Sequence, residues 1–203
     1  MRILIALSLL ILLGGAAAAS DSDDAPQHFK QWQSHCRLDG YCLATTAVQA
    51  KAAGGTDTRY ALTIGRPAQQ TYWEVSVHLA RADADSSRAF RAAIDEKTLT
   101  FSGPDEIAPY GDIDHFYFLG AGAQSLLDKL VHGTSLNLSF TDRTGSPKDT
   151  VFSLAGLRAA LIWIDTRQHR LGSERVAETP PYGLVRADLP GGTWMAPAIA
   201  ATQ

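Results

Sequence analysis

The pattern that most constrains the fold is an amphipathic helical stretch over Ser153–Gly172. Its apolar residues recur at steps of three and four, with a gap at Gln168, so they share one face of a helix. They are Leu154, Leu157, Leu161, Ile164 and Leu171. Ser153 is suited to cap the start of this helix, and Gly172 to end it in the left-handed conformation. Such an apolar face has to be covered, and the only candidate cover is the β-rich chain that precedes it.

Most of that preceding chain alternates apolar and polar residues in the way that is typical of strands. Strands are predicted over 28–33, 41–48, 59–66, 72–79, 88–95, 98–101, 135–141 and 150–152, and the aromatic segment 115–119 is either a strand or the lead-in to the following helix. The segment 107–111 is predicted as a turn, and 120–132 as a second helix. The fold class that follows is α+β, mainly β. We expect an antiparallel β-sandwich or curled sheet with two packed helices, at about 120–132 and 153–171.

The N-terminal 19 residues have the composition of a signal peptide. Arg2 precedes an apolar run, Ile3–Leu13, and the small residues Ala17–Ala19 come before a predicted cleavage between Ala19 and Ser20. We therefore expect a periplasmic or secreted protein with no membrane span after signal removal. The rest of the chain is divided into a flexible lead-in (20–27), one globular β-rich domain (28–172) and a largely irregular tail (173–203).

The only two cysteines, Cys36 and Cys42, are predicted to form a disulfide, because export places them in an oxidising compartment. The loop that they close is short, and cross-linking it stabilises the fold by about 2 kcal/mol in the chain-entropy picture. The C-x5-C spacing matches neither a zinc site, nor a thioredoxin-like C-x-x-C motif, nor a haem attachment motif.

Other chemistry is sparse in this sequence. The formal net charge is −3, and Lys and Arg are scattered singly, which argues against a nucleic-acid partner. No two histidines are four residues apart, and no H-E-x-x-H, G-x-S-x-G or P-loop motif occurs, so we expect no metal, no cofactor and no enzyme. Asp112, Asp114 and His115 are the best candidates for a cation-binding cluster in this sequence, although such a segment is more often a solvated turn. Asp165 and Gln168 are predicted to lie on or near the exposed side of the long helix, where Asp165 can support His169 at i,i+4.

Several segments together resemble bacterial exported proteins related to invasion-associated locus B (IalB), and most of all the DUF1176 family. The most specific segments are F-S-L-A-G-L-R-A-A-L and W-I-D-x-x-Q-x-R-L-G, and the resemblance spans Phe29–Gly172. The supporting features are Phe29, Trp32, Cys36, Cys42, the strand end L-T-I-G-R (Leu62–Arg66), Phe152–Leu161 and Trp163–Gly172. The resemblance implies a periplasmic or outer-envelope protein with a β-rich fold, and it supplies no catalytic residues.

Two functions remain open at this point. The first is a non-enzymatic, invasion-associated or otherwise envelope-located protein that binds an envelope or host protein or a surface ligand. Its partner-binding loop is then predicted at Asp57, Arg59 and Tyr60. The second is a small-ligand carrier or hydrolase, with a cleft lined by Arg66 and the cluster at Asp112, Asp114 and His115. The first is favoured because no nucleophile or metal motif accompanies the second. The oligomeric state is open.

Overall fold

The computed structural model describes residues 25–51, 57–68, 70, 72–80, 82, 84–110 and 112–169, and three two-residue strands nearer the C-terminus. The predicted signal peptide and most of the predicted tail lie outside these residues. Among the helices in the described part of the chain, none is long and apolar enough to cross a bilayer.

The larger of two main sheets has eight strands, most of which come from the first half of the chain. They are β1 (Gln27–Phe29), β2 (Trp32–Cys36), β3 (Cys42–Lys51), β4 (Asp57–Arg66), β5 (Tyr72–Leu79), β8 (Ile107–Tyr110), β9 (Asp112–Phe118) and the short β12 (Arg175–Val176). The first seven are antiparallel to their neighbours, in the order β1-β2-β3-β4-β5-β9-β8. β12 pairs in parallel with the start of β5.

The smaller sheet faces the larger one and has four strands. They are β6 (Phe90–Ile94), β7 (Lys97–Phe101), β10 (Ser135–Thr141) and β11 (Pro147–Ser153), in the order β11-β10-β6-β7. Two helices, α1 (Gly120–His132) and α2 (Leu157–Arg167), complete the domain, and β13 (Val185–Arg186) pairs with β14 (Trp194–Met195). The predicted α+β, mainly β class is confirmed.

The core lies between the two sheets and is built around aromatic contacts. Phe90 and Phe101 of the smaller sheet pack against Phe116 and Phe118 of the larger one, with ring centroids 5.1 and 4.7 Å apart. α2 covers the β1–β3 end of this core with four buried residues, of which all but Ala160 belong to the predicted apolar face. These are Leu157, Ala160, Leu161 and Ile164.

The start of α2 differs from the prediction, because the strand before it is longer than its sequence pattern indicates. Ser153 still pairs with Ser135 at the end of β11, and the Leu154 N–H donates to the Thr134 carbonyl oxygen at 3.0 Å. Gly156, at φ +103°, then makes the left-handed turn into the helix. Ser153 therefore ends a strand and does not cap the helix.

The turn predicted over 107–111 is wrong for its first four residues, which form β8. Ile107 and Ala108 pair with Phe118 and Tyr117 of β9, so the segment is held by a ladder that local turn signals do not reveal. Pro109 is tolerated because β8 is an edge strand, where a missing N–H costs no ladder hydrogen bond.

Gly156→Ala is expected to lower the free energy of unfolding by about 2–4 kcal/mol. A side chain there is strained at positive φ, and its Cβ falls 1.9 Å from the Phe29 carbonyl oxygen. Gly145→Ala is the matched control, since Gly145 has φ +85° but no atom within 4 Å of the added Cβ, and it should cost only about 1 kcal/mol. Urea denaturation measures both, and equal losses would contradict the steric argument.

Candidate functional site

A fully buried arginine stands at the centre of the most unusual polar cluster in the described chain. Arg66, at the end of β4, has 0% of its surface exposed. Its guanidinium forms an ion pair with Asp165 of α2 at 2.6 Å, and its Nε donates to Gln168 Oε1 at 2.5 Å. The guanidinium also lies over the Trp73 ring, 4.3 Å from the ring centroid. A charge taken out of water needs such partners, and here α2 and β5 supply them.

Gln168, just after the end of α2, connects this arginine to the neighbouring loop. Its Nε2 donates to the Gly40 carbonyl oxygen at 2.9 Å and to the Arg66 carbonyl oxygen at 3.1 Å. The amide oxygen of this side chain therefore accepts a hydrogen bond from the buried guanidinium, and its nitrogen donates to two backbone carbonyl oxygens. The effect is to fix the C-terminal end of α2, the end of β4 and the loop at Gly40 against one another.

That loop is closed by the predicted disulfide, Cys36–Cys42, which the structure confirms. The two cysteines are directly opposite each other on β2 and β3, with Cα atoms 3.9 Å apart. They form a non-hydrogen-bonded antiparallel pair, the kind in which opposite residues lie closer together. We call the enclosed residues Arg37–Tyr41 the disulfide loop.

The disulfide loop is also constrained from within. The Gly40 N–H donates to the Arg37 carbonyl oxygen at 2.9 Å, and the Arg37 N–H donates to the Tyr41 carbonyl oxygen at 2.8 Å. Asp39 accepts the Tyr41 N–H at 3.0 Å and forms an ion pair with Arg37. The Tyr41 N–H, and then the Arg37 guanidinium, lower the pKa of Asp39. Gly40 has φ +77°, as the turn requires.

On the other side of the sheet from Arg66, the disulfide loop covers a buried carboxyl group. Tyr41 lies across Gly65, where an added Cβ would fall 1.9 Å from its hydroxyl oxygen. That hydroxyl donates to Glu74 Oε2 at 2.9 Å, and only 2% of Glu74 is exposed. Burial raises the pKa of Glu74 to about 7, against a smaller opposing effect of the Tyr41 hydrogen bond.

The residues of the predicted partner-binding loop differ in how exposed they are. Arg59 is exposed, and the backbone of Asp57 pairs with Lys51 at the start of β4. Tyr60 is only 6% exposed, and its ring packs edge-on against Phe140 with centroids 6.2 Å apart. Of the three residues, Arg59 is the one whose exposed side chain the structure describes.

The predicted cluster at the start of β9 is not brought together on one face. Along a strand, successive side chains point to opposite faces. Asp114 therefore lies on the same face of β9 as the core-facing Phe116. His115 lies on the outer face, where its ring stacks on Tyr117 with ring centroids 5.1 Å apart. The side chain of Asp112 lies outside the described residues. No group of three or more metal-ligating side chains occurs within the described part of the chain.

Two open grooves are described, and neither is lined by this cluster. One, of about 510 Å³, lies between the β6–β7 turn and the end of α1 and is lined mainly by charged residues such as Glu96, Lys97 and Asp128. The other, of about 360 Å³, lies between β11 and the β3–β4 pair, beside Tyr60 and Val151. Both are open to solvent.

Comparison with known proteins agrees with the fold. The family model described as "Protein of unknown function (DUF1176)" matches residues 26–177. The chain belongs to the DUF1176 family. A solved structure, that of invasion associated protein B from Bartonella henselae, is 14% identical to this DUF1176 chain, with a TM-score of 0.53. The similarity covers 72% of this chain and 99% of that one, and at this identity it shows a shared fold. No curated protein matches the chain.

Two segments that carried the resemblance to DUF1176 meet at the buried arginine. Arg66 ends the L-T-I-G-R segment, and Asp165 and Gln168 belong to W-I-D-x-x-Q-x-R-L-G, about a hundred residues later. Asp165 and Gln168 are partly exposed, which agrees with their predicted place on or near the exposed side of the helix, but the sequence does not predict that their side chains turn to Arg66. The roles of Tyr41 and Glu74 are not predicted from the sequence, since strand alternation gives only the face of β5 on which Glu74 lies and not what covers that face.

Replacing Arg66 should destabilise this DUF1176 domain strongly. Arg66→Met keeps an unbranched apolar stem but removes the guanidinium and leaves Asp165 and Gln168 without their cationic partner, so we expect a loss of about 3–5 kcal/mol in the free energy of unfolding. Arg88→Met, in which the exposed Arg88–Asp85 ion pair is broken, is the control and should change little. Urea denaturation distinguishes the two, and a small effect of Arg66→Met would contradict a structural role for the cluster.

Glu74 should make the stability of the domain depend on pH. Because its folded-state pKa is raised from 4.5 to about 7, the folded state holds this proton longer than the unfolded state. Stability is then lost as pH rises from about 4.5 to 7, by on the order of 3 kcal/mol. Glu74→Gln imitates the protonated form and should remove that loss, so the variant is more stable than the parent at pH 8. The exposed Glu96→Gln is the control, and parallel pH curves for parent and Glu74→Gln would refute the argument.

Proposed function

We propose that this DUF1176 protein is exported and acts outside the cytoplasm by binding a protein partner or surface ligand, without catalysing a reaction. The observation that supports this most strongly is the disulfide loop, a short segment fixed by a covalent bond, by its own hydrogen bonds and by Gln168. Disulfides persist in oxidising compartments, and pre-ordered loops lose little entropy when they bind. The leader-like N-terminal sequence supports export to the periplasm or beyond.

The name of the similar solved structure supports a narrower form of this proposal. That protein is described as invasion associated, and it shares the fold of this chain. By extension, we propose that the partner is an envelope or host protein met during contact between cells. The alternative, a carrier or hydrolase with a cleft at Asp112, Asp114 and His115, receives less support. Asp114 and His115 point to opposite faces of their strand, and the proposed third contributor, Arg66, is buried.

Export is tested by the redox state of the cysteines in cells. The full chain is produced in a Gram-negative host, the periplasm is released by osmotic shock, and free thiols are labelled with a maleimide before and after reduction. We expect the chain in the periplasmic fraction, with Cys36 and Cys42 labelled only after reduction. Leu10→Arg, which interrupts the leader's apolar run, is the control and should leave the chain in the cytoplasm with both thiols free. If the parent protein is found in the cytoplasm with free thiols, the export proposal is refuted.

Binding is tested with the chain recovered from that fraction. It is immobilised and exposed to envelope extract, and retained proteins are identified, purified and titrated back against the immobilised chain. We expect at least one saturable complex, which excess soluble chain abolishes by competition. If no retained protein binds saturably, the proposal that the chain works by binding a protein fails.

A further inference from the structure

We infer that Leu38, at the tip of the disulfide loop, is an anchor that enters an apolar pocket on the partner protein. This inference rests on the proposed binding function and names the surface that performs it. Leu38 is 97% exposed, whereas the other exposed large apolar residues of the described chain, Val151 and Ile162, are each 55% exposed. A leucine that is so fully exposed does not stabilise the fold by burial of its side chain. Its apolar surface contributes free energy only when a partner protein covers it.

The turn itself does not require a leucine at this position. The turn is formed by Asp39, which accepts the Tyr41 N–H, and by Gly40, which has the positive φ. The side chain at position 38 takes no part in these bonds, so a polar residue would close the same loop and be better solvated. Single exposed apolar residues are common on protein surfaces, but this one lies on a loop whose backbone is fixed by a disulfide and by several hydrogen bonds.

The rigidity of the loop is what makes Leu38 suited to be an anchor. The disulfide Cys36–Cys42 fixes the loop to β2 and β3. Gln168 donates a hydrogen bond to the Gly40 carbonyl oxygen, and the Tyr41 hydroxyl donates one to the buried Glu74. A side chain on such a loop is already in position, so binding orders little further backbone. Covering one leucine then contributes about 10- to 100-fold in affinity.

The charges beside Leu38 indicate what kind of pocket it fits. Arg37 and Asp39 flank it, both are about half exposed, and they form an ion pair with each other. The tip therefore presents one apolar side chain between two charges that cancel. The matching surface is an apolar pocket the size of one leucine side chain, with a polar rim and no requirement for net charge.

The experiment uses the full chain recovered from the periplasm and, as probe, envelope extract followed by titration with each retained protein after purification. Leu38→Ala should weaken the complex about 10- to 100-fold, and Leu38→Asp more than 100-fold. Ile162→Asp is the matched control, a charge placed at another exposed apolar site, and should bind like the parent. Cys36→Ser combined with Cys42→Ser keeps Leu38 but frees the loop, and should weaken binding at least 10-fold.

Circular dichroism and the thiol assay confirm that each Leu38 variant is folded and oxidised. If Leu38→Asp binds within twofold of the parent, the inference is overturned while the proposed function stands. If Ile162→Asp weakens binding as much as Leu38→Asp does, the assignment of Leu38 as the anchor fails. It also fails if the retained protein is only a second copy of this chain. If the parent retains no saturable partner, both the inference and the proposed function are overturned.

Discussion

The structure depends most on how the buried charge of Arg66 is compensated. An isolated guanidinium in a protein core is very costly, so the ion pair with Asp165, the acceptor on Gln168 and the face of Trp73 have to be present together. Because these partners come from α2 and β5, satisfying one charge also sets where the end of the helix lies on the sheet. Gln168 then extends that placement to Gly40, and so to a surface loop.

Much of the fold could be predicted because it is encoded in local periodicity. The strands at Tyr72–Leu79 and Ser135–Thr141 and the helix at Gly120–His132 have the predicted bounds, since each alternates or repeats its apolar residues cleanly. The disulfide was also predictable, because a chain with two cysteines allows only one pairing within the chain and its leader-like N-terminus predicts an oxidising compartment. These predictions need no knowledge of which elements meet.

The candidate site could be predicted only in part, because its contacts join residues far apart in sequence. Periodicity indicates which face a residue is on but not what covers that face, so it does not reveal that Glu74 is 2% exposed beneath Tyr41. For the same reason the contacts of Asp165 and Gln168 with Arg66 are not predicted, and the segment that forms β8 is predicted as a turn. The motif resemblance identified the right segments without showing that they meet at Arg66, a contact that spans 102 positions.

The central claim, that the end of α2 holds the disulfide loop rigid, is tested most directly by amide hydrogen exchange in Gln168→Glu. This variant keeps an oxygen for Arg66 Nε but loses the N–H that donates to the Gly40 carbonyl. We predict faster exchange at the Arg37 and Gly40 amides, which are bonded within the loop, and unchanged exchange at the distant Gly145 amide of the Asp142 turn. Unchanged protection at Arg37 and Gly40 would contradict the claim and leave the disulfide, the loop's own hydrogen bonds and the Tyr41–Glu74 contact as the sources of the loop's order.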